Sequence, residues 1–159
     1  MGSNISKRME FLITRPKIKD GKSIQKLVNT YANEGLLPLS LQEIYERIRD
    51  FFIYKVEGKI VGVASLHIMW EDLAEFRSLA VDTNYQRRGI GRALVMSALD
   101  EARNLQVKKV FLLTNQKEFF QKMGFQQIDK SALPHKVWSD CIKCIKFPDC
   151  DEVAMVLEL

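Results

Sequence analysis

Residues 74 to 104 switch hydrophobic period within thirty-one positions, and that switch limits what the chain can become. Ala74 to Val81 reads as a strand. A turn carrying two glycines follows, Gln86-Arg87-Arg88-Gly89-Ile90-Gly91. Gly91 to Asn104 then reads as a helix, with Ala93, Leu94, Ser97, Ala98 and Ala102 available for one packed face. A strand feeding a helix through a tight turn needs a sheet for the helix to cover. The fold class is therefore α/β.

The remaining elements fit that class. Phe11 to Thr14 reads as a first strand stopped by Pro16, and Asp20 as an N-cap. Ile24, Leu27, Val28 and Tyr31 follow at helical spacing. Ser40-Leu41-Gln42-Glu43 is a capping box, and Ile44, Ile48 and Phe51 extend its apolar stripe. Phe52 to Val56 and Lys59 to Met69 flank Glu57-Gly58, a two-residue hairpin signal. Val110 to Thr114 is a buried strand, Gln116 to Met123 a short helix ended by Gly124, and Phe125 to Ile128 and Val153 to Leu157 closing strands. The expected order is β-α-α-β-β-β-α-β-α-β-loop-β, a mixed sheet with helices on both faces.

The length of 159 residues suits one domain. Residues 1 to 8 read as a disordered leader or cloning remnant, and 9 to 159 as the domain. A net charge of +4 suits an anionic small molecule and is too small and too evenly spread to argue for nucleic acid. The sequence has no apolar run of membrane-spanning length and no signal-peptide pattern, so a cytoplasmic protein is expected. Three cysteines make an odd count, which argues against a disulfide framework.

The turn at 86 to 91 carries the chemistry. The first N–H groups of a helix lack intrahelical partners, and the helix dipole is positive there. Gly89 and Gly91 remove side chains where a backbone must approach an anion, and Arg87, Arg88 and Arg92 add charge. That set would seat a phosphate or pyrophosphate. It lacks the Gly-Lys-Ser/Thr ending of a Walker loop and the three glycines of the dinucleotide fingerprint. An ordinary glycine turn before a helix fits the same residues.

Three segments together resemble one family. Gln86 to Gly91 matches the Gln/Arg-x-x-Gly-x-Gly/Ala loop of the GNAT N-acetyltransferases, Leu79-Ala80-Val81-Asp82 resembles the strand before it, and Phe119-Phe120-Gln121-Lys122-Met123-Gly124-Phe125 resembles the family's helix-then-Gly-Phe segment. The resemblance covers roughly residues 10 to 130 and part of the last strand. It implies a splayed, mostly antiparallel sheet of six to seven strands and acetyl-CoA as co-substrate. The pantetheine would lie along Leu79, Ala80 and Val81, and the pyrophosphate on backbone N–H groups at 87 to 92. Asn115, Phe119, Phe120 and Lys122 would complete the cofactor site. Family members often pair through their sheets, which makes a homodimer one option.

Acetyl transfer to an amine needs a proton acceptor and a stabiliser for the developing oxyanion. Under the resemblance, Glu75 is the base, directly or through a water, and backbone N–H groups from Ser78 to Ala80 are the oxyanion donors. A solvent-facing strand glutamate is the other reading of Glu75. Many members carry a tyrosine as general acid where this chain has Phe119-Phe120; Ser78, Tyr31 or a water would have to substitute, or the thiolate would leave unaided.

Further segments are similar to the short amino-acid N-acetyltransferases of the N-acetylglutamate synthase type. They are Leu36 to Leu41, Glu43 to Glu46, Asp50 to Phe52, Ala64 to His67, Asp72 to Val81 and Pro134 to Trp138. The implied acceptor is the α-amine of glutamate, a step of arginine biosynthesis, and the expected acceptor residues are Leu37, Leu39, Ser40 and Arg77. His67 alternates with Leu66 and Ile68 onto the opposite strand face, where it would line the acceptor cleft near Glu75; a satisfied structural histidine is the other reading. One departure stands out: the group usually has a basic residue at Leu39, which cannot make a guanidinium fork to a carboxylate. Arg77, Arg47, Lys55 or Lys117 would have to supply that charge, or the acceptor is another small amine. A protein amine and a non-catalytic coenzyme A-binding domain are the rival classes. His135, Cys141, Cys144 and Cys150 offer four zinc-ligating groups in a long loop, but their spacing matches no standard finger, and reduced cysteines packing in a loop are the alternative.

Overall fold

The structure is a computed structural model that describes residues 12–32, 36–133 and 152–159. The expected leader and the tail from 134 to 151, including His135, Trp138 and the three cysteines, lie outside the described residues.

The Glu57-Gly58 signal folds as read. Both residues take positive φ, 50° and 79°, as a twisted two-residue hairpin requires. It joins β2 (Phe51–Val56) to β3 (Lys59–Trp70), and β4 (Leu73–Val81) returns antiparallel to β3. With β1 (Ile13–Thr14), β5 (Lys109–Thr114), β6 (Gln126–Ile128) and β7 (Val153–Glu158), the described residues form a seven-stranded sheet in the order β1-β2-β3-β4-β5-β7-β6. The β4–β5 pair is parallel, and all other neighbouring pairs are antiparallel.

Helices cover both faces, as the mixed α/β reading requires. On one face α3 (Ile90–Asn104) buries Ile90, Leu94, Val95, Ala98, Leu99 and Ala102 against Ala64, Leu66, Ala74, Phe76, Val110 and Leu112. Gly62 permits the close approach: a Cβ there would stand 2.8 Å from Ile90 Cγ2. On the other face, α1 (Gly21–Thr30) and α2 (Leu41–Glu46) pack Ile24, Leu27, Val28 and Ile44 over Phe51, Ile53, Val63 and Ala80. The short α4 (Lys117–Gln121) precedes Gly124, whose φ of 100° fits a residue ending a helix.

Two local expectations are corrected. Asp20 has helical backbone angles and makes no side-chain cap to α1. Its carboxylate accepts the Lys17 N–H at 2.8 Å and pairs with Lys55 at 3.2 Å, so it closes the 3-10 turn ahead of the helix. Phe51 does not continue the α2 stripe: that helix ends at Glu46, and Phe51 opens β2 as a buried strand residue. The Ser40 cap is present, its Oγ accepting the Glu43 N–H at 3.1 Å.

Candidate active site

The parallel ladder between β4 and β5 is short. It pairs Leu73–Glu75 with Lys109–Phe111 and stops, while β4 runs on to Val81 and β5 to Thr114. A wedge opens between the strands beyond that point. β4 also carries a bulge: Val63 faces Ala80 and Ser65 faces Arg77, so Ser78 and Leu79 stand opposite Ala64 alone. Ser78 takes φ 59°, a left-handed backbone that non-glycine residues adopt where surrounding structure enforces it. The wedge and bulge together form a cleft of about 600 Å³.

The cleft gathers most of the expected cofactor residues. Its lining includes Leu79, Ala80 and Val81 from β4; Gln86, Arg87, Gly89, Ile90, Gly91 and Arg92 from the loop and α3; and Asn115, Phe119 and Phe120 beyond β5. Arg88 and Lys122 are not brought in. The Arg88 guanidinium lies over the Tyr85 ring, 5.2 Å from its centroid, and Lys122 is exposed beyond the end of α4. Tyr85 itself lines the cleft, a position with no motif to single it out.

The loop has the backbone of an anion seat. Arg87 (φ 64°) and Gly89 (φ 87°) are both left-handed, which turns successive N–H groups toward one side. The first helical donor with an intrahelical acceptor is Ala93, bonded to the Gly89 carbonyl at 3.0 Å. The N–H groups of Ile90, Gly91 and Arg92 precede it at the positive end of the helix. A Cβ at Gly91 would meet only Phe119 and Val81, at 3.7 and 3.9 Å, so packing alone does not demand glycine there. The loop is tied to the end of β4: the Val81 carbonyl accepts the Tyr31 hydroxyl at 2.6 Å and the Gln86 side-chain amide at 3.0 Å. The Tyr31 proton is thereby engaged. Behind the cleft, Phe120 sits edge-on to Phe119, Phe125 and Phe76, so this aromatic pair serves as core and cleft wall.

Opposite α3, the sheet face under α1 and α2 carries the polar groups. Glu75 is buried, and its carboxylate accepts from the Arg77 guanidinium at 3.2 Å. This excludes the solvent-facing reading of Glu75. Arg77 and Ser78 line the cleft; Glu75 is not among its lining residues. His67 lies directly across from Glu75 in the β3–β4 register, and its Nδ1 is 2.8 Å from Asp50 Oδ2. Asp50 had no expected role, because it is separated from His67 by 17 positions and only the fold joins them.

The loop between α1 and α2 holds the remaining expected acceptor residues. Leu39 packs into the core under α1; its carbonyl accepts from Gln25 and Asn29, and its N–H donates to Asn29. Ser40 spends its hydroxyl on the α2 cap. Leu37 is half-buried outside the cleft lining, where Leu36 takes a place instead. Of the alternative cations, Lys55 is committed to Asp20. Among the described residues no group of three His, Cys, Asp or Glu side chains is placed to hold a metal, and no helix is long and apolar enough to cross a membrane.

Comparison with known proteins agrees with this geometry. The model of the acetyltransferase (GNAT) family matches residues 22–125, and the chain belongs to that family. It is an N-acetyltransferase, with acetyl-CoA as co-substrate. An uncharacterised N-acetyltransferase of Chlorobaculum tepidum is 38% identical over 148 residues, covering 92% of this chain and 96% of the relative. The amino-acid acetyltransferase of Mycobacterium tuberculosis is 37% identical over 132 residues, 81% of this chain and 76% of that protein. The crystal structure of N-acetylglutamate synthase from Neisseria gonorrhoeae, complexed with coenzyme A and N-acetyl-glutamate, superposes with a TM-score of 0.83 at 27% identity, covering 92% of this chain but 34% of that one.

Proposed function

We propose that this enzyme transfers the acetyl group of acetyl-CoA to the α-amine of a free amino acid, glutamate first, by direct attack in a ternary complex. The observation that supports the reading is the cleft itself, lined by the glycine-bearing loop and by Arg77, whose guanidinium donates to the buried Glu75 carboxylate. Relatedness to the mycobacterial amino-acid acetyltransferase supports the choice of acceptor.

The residues present fit the donor. N–H groups from 87 to 92 would hold the pyrophosphate, with Arg87 and Arg92 adding charge. The edge of β4 that β5 leaves uncovered after Glu75 would accept the pantetheine amides, with Phe119 packed alongside. Acetyl-CoA supplies the activated thioester. Glu75 takes the proton of the attacking amine; its burial removes competing water from the base. The bulge takes Ser78 and Leu79 out of the regular pairing, and backbone N–H groups from Ser78 to Ala80 would face the oxyanion as it forms. Ser78 lines the cleft, and its hydroxyl would return a proton to the departing thiolate; Tyr31 is held by Val81.

Acceptor recognition rests on Arg77. Leu39 brings no charge, and Arg77 places a cation in the cleft lining. A guanidinium there favours an acceptor carrying a carboxylate, the common feature of every free amino acid. The reading is tested by thiol release with each amino acid in turn as acceptor. Glutamate is expected to give the highest kcat/KM. Turnover with peptide amines and none with free amino acids would contradict it.

A further inference from the structure

We propose that Asp50 and His67 form a proton outlet for Glu75, so that His67 is a relay residue of the acetyl transfer. The inference rests on the reading of Glu75 as base.

Proton bookkeeping creates the need. An α-ammonium arrives with three N–H bonds, and the amide product keeps one. The first proton must leave before attack, because only a neutral amine is nucleophilic. The nitrogen then bonds to the thioester carbon, the carbonyl opens to an oxyanion, and the second proton leaves nitrogen. The C–S bond breaks and the thiolate takes one proton, giving amide and free thiol. One net proton must reach solvent each turnover, and it starts from a buried site: the Glu75 side chain is 9% exposed.

His67 stands on the way out. It is the direct cross-strand partner of Glu75 on the same sheet face, where facing Cβ atoms lie about 4.5–5.5 Å apart. The His67 and Asp50 side chains are 30% and 25% exposed, so accessibility rises from the base toward this pair. A carboxylate only accepts hydrogen bonds, so at 2.8 Å from Asp50 Oδ2 it is Nδ1 that carries the proton. The lone pair then sits on Nε2, which is the ring atom able to take up a proton. Glu75 would pass its proton to Nε2 through solvent, and Nε2 would release it to bulk. Asp50 fixes ring and tautomer; its own position is set by the 3-10 turn Ile48–Asp50 that leads into β2.

The test uses His67→Gln and His67→Ala in the enzyme, with whichever amine turns over fastest as acceptor. Glutamine can still donate to Asp50 but has no basic nitrogen. Both variants should lose roughly 100-fold in kcat while KM for either substrate stays within about threefold. Imidazole added to the His67→Ala enzyme should restore roughly tenfold, by supplying the missing base. Wild-type kcat in His67→Gln, or a loss in His67→Ala that imidazole does not recover, would overturn the relay and leave a structural contact. Glu75→Gln separates the two readings: if it retains wild-type kcat, the base assignment itself fails, whatever His67 does.

Discussion

Gly89 is where the loop's geometry and its chemistry can be separated. Its φ of 87° and ψ of 4° place it in the left-handed region, and Gly89→Val would put a β-branched residue there. Holding an L-residue left-handed costs about 1–2 kcal/mol. If the variant keeps the native loop, that strain appears as a fall in Tm of about 2–8 °C at this chain length, with coenzyme affinity intact. If the loop instead relaxes, N–H groups between 87 and 92 turn away from the pyrophosphate. Losing two charge-assisted hydrogen bonds of about 1.5–3 kcal/mol each weakens binding by more than about a hundredfold. The left-handed pair Arg87 and Gly89 flanks a single residue, so relaxation is the expected course. Calorimetric titration with CoA measures the loss. Turnover with acetyl-pantetheine, which has the same thioester and no pyrophosphate, provides the internal control. A collapse of kcat/KM for acetyl-CoA and a small change for acetyl-pantetheine are expected. Equal losses on both donors, or unchanged CoA affinity, would refute the pyrophosphate seat.

Other perturbations test neighbouring steps. Glu75→Gln should lower kcat by about 10²–10⁴ with acetyl-CoA affinity preserved, measured by steady-state thiol release. Gly62→Val should push the α3 N-terminus off β3, since even its Cβ would stand 2.8 Å from Ile90 Cγ2 and 3.2 Å from Leu94 Cδ1. The expected overpacking cost is about 1–3 kcal/mol, read as a lower Tm together with a raised KM for acetyl-CoA. Burial of the Asp20 carboxyl works to raise its pKa, but the Lys17 N–H and the Lys55 ammonium outweigh it and hold the value below the ordinary carboxylate range. A depressed pKa contributes stability that is present above the unfolded value, about 4, and lost as pH falls through the native one. Asp20→Asn should therefore lower Tm at pH 7, with the gap to wild type closing toward about pH 2.

Local signals were legible where one short segment decides the outcome. Glu57-Gly58 forms the hairpin its type predicts, and the glycine-bearing loop precedes its helix as read. Long-range choices were not legible. Asp20 looked like a cap because nothing near it in sequence shows that Lys55 of β2 will take its carboxylate. Phe51 fits a helical stripe as well as a strand, and pairing with Ser65 decides for the strand. The positive φ of Ser78 has no compositional signature. The Asp50–His67 contact depends on a turn meeting β3, which neither residue announces. At Leu39 the missing charge was evident from sequence, but its burial under α1 was not.

Acetyl transfer to a free amino acid is tested most directly by following both products at once. Acetyl-CoA and glutamate are incubated with the enzyme; free thiol is quantified while mass spectrometry identifies and counts the acetylated product. N-acetylglutamate should form mole for mole with thiol, with the acetyl on the α-nitrogen and both products lost in Glu75→Gln. Thiol released without acetylated glutamate, or acetyl groups recovered only on protein amines, would contradict it.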